Sequence, residues 1–374
     1  MDTHIRKSRN RRIDILRAIA IIMVVIGHTG NVPGAEWAYT YFPLMSYHMA
    51  IFLFISGYLY HDLEWKDFPS FCWRKTKNLA IPLLGWNIVY AGIVSILSWR
   101  NVVDYLPSLQ EIWSFRALFI DPFVNANLYF LNLATWFVGM LFPALLIYGI
   151  LNISLRRIIT DHGLMALFTV IAVTGLAFTE MRDSNIFWLV PLHASYALFF
   201  IHLGKYYRQY IEPRLESVSP WIIICVCAIF QFLTVRIGGW HLYSPSWMSF
   251  DGRIVMPLLM AITGIMMWYY IAGIIEKYIV PNKIEEAISL STWDIMTHHL
   301  LVKFMIGWVL VHWAIEPELV SSFRSTIWFV PQSFDYWAMI LLEIALPVIW
   351  HYIFAFIKDH TIRLSYEKSQ CHNA

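Results

Sequence analysis

Long apolar segments recur along this chain and are separated by short polar connections. Apolar residues make up 59% of the sequence and charged residues 14%, whereas soluble domains contain about 25% charged residues. Most of the apolar segments approach the length of about 20 residues that a helix needs to cross a bilayer. Because lipid offers no hydrogen-bond partners to the backbone, segments that span it fold as helices. The sequence therefore predicts an all-α, polytopic transmembrane helical bundle.

We predict one membrane domain over residues 1–374 with about ten spans. A basic cytoplasmic tail (1–12) precedes the transmembrane core (13–357), and a second cytoplasmic tail (358–374) follows it. The sequence contains no visible internal repeat and no inserted soluble domain. The predicted spans cover residues 13–30, 44–60, 79–98, 131–150, 163–180, 187–203, 220–236, 254–275, 291–312 and 337–357.

The orientation in the membrane is predicted from the placement of lysine and arginine, which are enriched in cytoplasmic loops. The two tails and the alternate connections hold 19 of these residues, and the opposite connections hold 6. An even number of spans with both termini in the cytoplasm explains this asymmetry. The net charge of +2 is too small to indicate nucleic acid as a partner.

The first predicted span carries two ionisable residues, Arg17 and His28, eleven positions apart. A helical rise of about 1.5 Å per residue separates them by about 16 Å, roughly half the hydrocarbon core. Arg17 then lies near the cytoplasmic face and His28 near the outer face. Ionisable groups within a span are costly and usually face an interior site, which favours a catalytic or ligand-handling helix. The alternative is an interfacial role, with Arg17 paired to Asp14.

Several segments resemble the acyltransferase-3 family of integral membrane acyltransferases, in the same order and at similar spacing. The first span contains the family's arrangement of an arginine, ten residues and a histidine. The second span resembles the family's histidine followed by Ser-Gly-Tyr, with Ala50 in place of the usual proline. A basic stretch before a proline-containing helix, a Trp-Phe segment and a helix with a histidine follow. These segments read RRIDILRAIAIIMVVIGH, FPLMSYHMAIFLFISGYLY, WRKTKNLAIPLLGW, TWFVGMLF and STWDIMTHHLL.

The resemblance is greatest to the branch of fucose 4-O-acetylase-like and polysaccharide O-acetyltransferases, and it implies a membrane O-acyltransferase. The implied donor is cytoplasmic acyl-CoA, most often acetyl-CoA, which acts as a co-substrate; no tightly bound cofactor is expected. The implied acceptor is a hydroxyl of an exported or lipid-linked glycan. A multi-pass protein of a bacterial inner (cytoplasmic) membrane is also implied, with acyl-CoA, the saccharide acceptor and the lipid bilayer as partners.

Under this hypothesis, Arg17 and His28 are the candidate catalytic residues. A histidine can take the proton of a sugar hydroxyl near neutral pH, or it can accept the acyl group covalently; both routes stay open. Arg74, Lys75 and Lys77 are the candidate donor-binding residues, because CoA carries phosphates that guanidinium and ammonium groups bind. The alternative for this basic cluster is the ordinary positive charge of a cytoplasmic loop.

His48, His299 and Glu36 are candidates for binding the acceptor or supporting His28. For His48 the alternative is a place in an aromatic belt at the outer interface. Ser56 is a candidate donor contact, and Gly57 is expected to permit close helix packing. The sequence contains no Cys and His spacing typical of a metal site, so no metal is expected.

Two other functions are compatible with these residues. A secondary transporter or flippase could use histidine and arginine within the membrane for substrate or proton coupling, although no paired broken helices are visible. A receptor-like protein without catalytic activity could use the same scaffold. The sequence does not specify the acyl group, the glycan acceptor or the oligomeric state.

Overall fold

The computed structural model describes residues 9–30, 40–124, 129–239, 243–314, 317–326 and 335–372. Within these ranges every regular element is a helix, and the only β-type pairing is an isolated bridge between Ser244 and Ser249. The predicted all-α fold is therefore confirmed.

Ten helices of more than ten residues form the body of the described part of the chain. Each coincides with one of the predicted spans. They are α1 (Arg11–Thr29), α2 (His48–Tyr58), α3 (Phe68–Trp99), α4 (Phe130–Leu155), α5 (Asp161–Ala177), α6 (Ile186–Leu215), α7 (Pro220–Gly238), α8 (Met256–Tyr278), α9 (Thr292–Ala314) and α10 (Tyr336–His372).

Seven of these helices in the described ranges, α3, α4 and α6–α10, are long and apolar enough to cross a membrane. The chain is thus a multi-pass membrane protein. The other three differ in charge or length: α1 contains Arg11, Arg12, Asp14 and Arg17 in its first two turns, and α2 and α5 have 11 and 17 residues. The count of about ten spans and the cytoplasmic location of the termini stay predictions.

Shorter helical pieces connect the long helices. The segment before α4 folds back in three turns, and a separate amphipathic helix precedes α9. These pieces are Leu44–Ser46, Leu109–Ile112, Arg116–Ile120, Asp121–Val124, Met181–Ser184, Pro245–Trp247, Lys283–Leu290 and Pro317–Ser325.

Helix α1 lies at the centre of the site described below and packs against α2, α8, α9 and α10. It begins where the side chain of Asn10 accepts a hydrogen bond from the backbone N–H of Ile13, which satisfies one of the free donors of the first turn. It ends before Gly30, whose φ of 100° is a conformation that glycine adopts readily. Arg11 is bound to Glu285 at 2.8 Å, and Arg12 to Glu276 at 3.0 Å. These ion pairs fix the first turn of α1 against α8 and the helix that precedes α9.

Helices α2 and α6 pack backbone to backbone. A Cβ atom on Gly57 would lie 1.6 Å from the carbonyl oxygen of Ile201, and one on Gly204 would lie 2.0 Å from that of Phe54. Neither position has room for a side chain, so the predicted packing role of Gly57 is confirmed. Helix α6 is the most enclosed of the seven long apolar helices, whereas α7 and α10 are the least enclosed and present apolar side chains to the surroundings.

Candidate active site

Three histidines meet near the C-terminal end of α1. His28 from α1 and His299 from α9 lie with Nδ1 and Nε2 3.4 Å apart and ring centroids 5.1 Å apart. His28 and His48 line one cavity of about 120 Å³. The rest of its wall comes from Val24, Met45, Met49, Ala134, Trp136 and residues 243–246. We call this the histidine cavity.

Hydrogen bonds to the backbone fix the tautomer of each of these histidines. In every case Nδ1 faces the carbonyl oxygen four residues earlier, at 2.8 Å for His28, 3.0 Å for His48 and 2.8 Å for His299. A carbonyl oxygen can only accept a hydrogen bond, so Nδ1 of the neutral ring carries the proton. Nε2 of His28 then keeps its lone pair, and this is the atom that can act as a base or a nucleophile.

A fourth histidine supports the wall of the histidine cavity. His193 on α6 donates its Nε2–H to the carbonyl oxygens of Pro245 and Ser246, each at 3.1 Å. Its ring also lies 5.6 Å from that of Trp136, measured between centroids. Pro245, Ser246 and Trp136 all line the cavity, so His193 holds two parts of its wall together.

A buried lysine and a buried glutamate flank α1 on the other side. Lys303 on α9 donates its Nζ–H to the backbone carbonyl of His28 at 2.6 Å. Glu343 on α10 accepts a hydrogen bond from the Thr29 hydroxyl at 3.2 Å. The side chains of Lys303 and Glu343 are 3% and 0% exposed and interact electrostatically. These two buried side chains therefore fix the last turn of α1, where His28 lies.

A second, larger cavity of about 680 Å³ lies toward the other end of α1. Arg17, Arg74 and Lys75 line it, together with Ser56 and His61. Its described wall contains no aspartate or glutamate; the remaining lining is polar or apolar. With three basic side chains and no carboxylate in its described wall, this basic cavity is suited to an anion. Its volume lies within the range of about 300–1,000 Å³ that is common for small-molecule sites.

The route between the two cavities is closed by a thin aromatic layer. Phe52 and Phe137 line the basic cavity, with ring centroids 5.7 Å apart. Met49, one helical turn before Phe52, and Trp136, directly before Phe137, line the histidine cavity instead. One turn corresponds to about 5.4 Å along a helix. Very little protein therefore separates the two cavities.

Residues 10–357 match the acyltransferase-3 family, described as an acyltransferase domain. The chain belongs to this family. No curated protein and no solved structure gives a significant match to it. The protein is therefore a membrane acyltransferase, and the match covers both cavities.

Some of the predicted site residues of this acyltransferase come together in space and others do not. His28, His48 and His299 lie at one end of α1, and Arg17, Arg74 and Lys75 line the basic cavity at the other. Lys77 is exposed and lies outside the basic cavity. Glu36 lies outside the described residues. Among the described residues, no group of three His, Cys, Asp or Glu side chains is arranged to hold a metal ion.

Arg17 both pairs with Asp14 and lines the basic cavity. The guanidinium lies 3.2 Å from a carboxylate oxygen of Asp14, the partner that the alternative interpretation named. The ion pair partly neutralises its charge and holds the side chain in one direction. The acyltransferase thus has two cations at this cavity without a carboxylate partner in the described residues, Arg74 and Lys75, whose side chains also lie over the ring of Phe71.

Sequence reasoning missed Lys303 and Glu343. Both lie inside predicted spans, 291–312 and 337–357, where an ionisable side chain is costly and marks a site. By this criterion Lys303 and Glu343 are candidate site residues in the same way as Arg17 and His28. Neither belongs to a segment that resembles the family motifs, which is why they were passed over.

Proposed function

We propose that this acyltransferase is an O-acetyltransferase that moves an acetyl group from cytoplasmic acetyl-CoA to a hydroxyl of an exported or lipid-linked glycan. One observation carries the proposal: a basic cavity and a histidine cavity lie at opposite ends of α1, one thin layer apart. Such an arrangement suits a donor and an acceptor that arrive from opposite sides of a membrane.

The positive charge of the basic cavity supports its role as the binding site of the donor. CoA carries a pyrophosphate and a 3′-phosphate, which guanidinium and ammonium groups bind through short, charge-assisted hydrogen bonds. Arg74 and Lys75 line the basic cavity directly before the π-helical turn of α3 over Thr76–Ala80. The pantetheine arm then extends along the apolar wall toward Phe52 and Phe137.

The tautomer of His28 supports a role for its Nε2 in the reaction. In the general-base route, Nε2 takes the proton of the acceptor hydroxyl as its oxygen attacks the thioester carbonyl. The new C–O bond forms, the C–S bond breaks, and the CoA thiolate leaves and takes up that proton. In the covalent route, Nε2 attacks the carbonyl first, the C–S bond breaks and the CoA thiolate leaves. The acceptor hydroxyl then attacks the acetylated ring, the C–N bond to Nε2 breaks, and the hydroxyl proton passes to the thiolate. Nε2, on the side of the ring away from the Val24 carbonyl, serves either route.

The finer assignments rest on the sequence. We propose about ten spans with both termini in the cytoplasm, because lysine and arginine are concentrated on that side. The matching segments support the fucose 4-O-acetylase-like branch and a bacterial inner membrane location. Membership of the acyltransferase-3 family argues against the transporter or flippase alternative.

The test compares surface glycans by mass spectrometry in a deletion strain complemented with wild type or with His28→Ala. We expect the mass of one acetyl group on a glycan with wild type and its absence in the variant, although the variant protein inserts at normal abundance. Equal spectra in the deletion strain and both complemented strains would overturn the proposal.

A further inference from the structure

A third cavity, of about 1010 Å³, is larger than the two cavities described above. It lies between α3 and the segment that folds back before α4, and Ser325 and Thr326 complete its wall. Three of its lining side chains are aromatic, and several others can donate or accept hydrogen bonds. These are Tyr105, Tyr129 and Phe130, and Asn87, Gln110, Glu111, Ser114, Arg116 and Asp121. We call it the aromatic cavity.

The charge of the aromatic cavity differs from that of the basic cavity. Arg116 lies 3.0 Å from Asp121 and is thus paired. Glu111 is bound to the backbone and hydroxyl of Ser108, both at 2.8 Å, in the cap of a short helix. The wall of the aromatic cavity therefore holds one cation and two anions, and this charge disfavours binding of the phosphates of CoA. Hydroxyl groups and aromatic rings together suit an uncharged polyol.

One buried atom in this wall lacks a partner. The Asn87 side chain is 0% exposed, and its Nδ2 donates to the carbonyl oxygens of Ala117 and Leu118, each at 3.0 Å. These two bonds fix the orientation of the amide. Its Oδ1 has no hydrogen-bond partner among the described residues. Because an unpaired buried acceptor is costly, Oδ1 calls for a donor such as a hydroxyl of a bound molecule.

The aromatic cavity also adjoins the end of α1 where His28 lies. A small cavity of about 20 Å³ shares Tyr105, Phe130 and Thr326 with it and is lined by Lys303. Lys303 donates to the backbone carbonyl of His28. A molecule in the aromatic cavity would therefore lie on the other side of Lys303 from α1.

We propose that the aromatic cavity binds a saccharide portion of the acceptor, with Oδ1 of Asn87 accepting a hydrogen bond from a sugar hydroxyl. The rings of Tyr105, Tyr129 and Phe130 pack against the C–H faces of the sugar, as aromatic side chains do in pockets for small ligands. This inference rests on the proposed function, since it gives the glycan acceptor a place in the protein.

The test measures binding directly, by calorimetry on the purified full-length protein in detergent. The probe is the oligosaccharide released by mild acid from the surface polysaccharide of the source organism. Gln110→Trp fills the cavity from an exposed position, and Leu109→Trp is the matched control, an equally exposed neighbour outside the cavity wall. Asn87→Ala removes the unpaired acceptor. Binding of acetyl-CoA to each variant reports whether it is folded.

We expect wild type and Leu109→Trp to bind the oligosaccharide equally, Gln110→Trp to lose binding, and Asn87→Ala to bind about tenfold more weakly. Acetyl-CoA binding stays unchanged in all four proteins. The proposal is overturned if wild type does not bind the oligosaccharide, or if both tryptophan variants bind it alike. It is also overturned if only the lipid-linked precursor binds, because recognition then lies in the lipid.

Acetyl transfer in cells separates this inference from the proposed function. If surface glycans are acetylated while both tryptophan variants bind alike, the site is wrong and the proposed function stands. If Gln110→Trp alone loses binding while no acetylation occurs with wild type, the saccharide site stands and the proposed function fails.

Discussion

At the scale of single residues, the hydrogen bond from Nδ1 decides what each histidine can do. His28 donates through Nδ1, so its Nε2 carries no proton, whereas His193 donates through Nε2 and supports the wall of the histidine cavity. His193 is buried and His28 is partly buried, and both would look alike in a sequence. The difference lies in which carbonyl oxygen the fold places beside each ring.

Asparagine at position 28 separates the structural role of the histidine from the chemical one. The amide of His28→Asn can still donate to the Val24 carbonyl but offers no base in the place of Nε2. We expect acetyl transfer to fall by about 10²–10⁴-fold, the usual contribution of a general base, with little change in thermal stability. The measurement is transfer of radiolabelled acetyl groups by membranes. His162→Asn, at an exposed position outside both cavities, is the control. A His28→Asn enzyme of near-normal rate would contradict this role.

The buried pair of Lys303 and Glu343 predicts that the loss of one partner destabilises the protein more than the loss of both. Lys303→Met leaves Glu343 buried without its basic partner, and breaking a buried ionisable pair in this way typically costs about 3–5 kcal/mol. We expect a large fall in the unfolding temperature in detergent and substantial recovery in Lys303→Met/Glu343→Leu. If the double variant is as unstable as the single one, the two charges do not compensate each other.

At the scale of helices, α2 depends on glycine for its contact with α6. Gly57→Ala would place a methyl group against the Ile201 carbonyl, and backbone cannot move aside as a side chain can. We expect a loss of about 1–3 kcal/mol, as for overpacked cores, measured by thermal unfolding. Gly92→Ala on α3 is the control, because nothing lies within 4 Å of its Cβ position. It should be neutral or stabilising, by at most about 1 kcal/mol. Equal unfolding temperatures for the two variants would refute the close contact.

The connection between α2 and α3 is tied to α4 and α6 by one carboxylate. Asp62 accepts hydrogen bonds from Lys205 at 2.7 Å and from Asn152 at 2.9 Å. Burial alone would raise the pKa of Asp62, but these two hydrogen bonds and the positive charges of Lys205 and Arg156 together outweigh it and hold the pKa below its usual value. The stabilisation is therefore complete above the pKa of an unfolded aspartate, about 3.9, and is lost as the pH falls through the lower folded value.

Acid titration should reveal this tie. Asp62→Asn is expected to lower the unfolding temperature at pH 7. Below about pH 4, the difference in unfolding temperature between Asp62→Asn and wild type should become smaller. Asp67→Asn, an exposed carboxylate in the same connection, should show no such narrowing. A difference between Asp62→Asn and wild type that is constant from pH 7 to pH 3 would disprove the assignment.

At the scale of the whole molecule, the separation of the two cavities predicts which cations bind the donor. Arg74→Gln and Lys75→Gln should each raise the KM for acetyl-CoA about tenfold, because a hydrogen bond to a charged group is strong, with little change in kcat. Lys77→Gln removes a neighbouring charge that lies outside the cavity and should change KM much less. An equal rise in the KM for acetyl-CoA in all three variants would instead indicate a general attraction of the basic loop for anions.

The sequence predicted the helices of this protein well because the length of an apolar segment is a local property. Arg17, Arg74 and Lys75 came together as expected because they share the same end of helices close in the chain. His28 and His299 are 271 positions apart, and their contact depends on which helix faces pack together. Lipid-facing and core-facing surfaces are both apolar, so the sequence does not distinguish them. The aromatic cavity could not be predicted at all, since its wall is made by a segment that folds back between two spans.

The layer formed by Phe52 and Phe137 also matters to the cell that holds this enzyme. A continuous wet passage through the protein would let protons and ions flow down their gradients and would discharge the membrane. Two rings 5.7 Å apart between centroids, backed by Met49 and Trp136, form an apolar seal where a charge is expensive to place. Under the proposed function, an uncharged acetyl thioester would pass such a seal at far lower cost than an ion. The layer that separates the two cavities would then also act as electrical insulation.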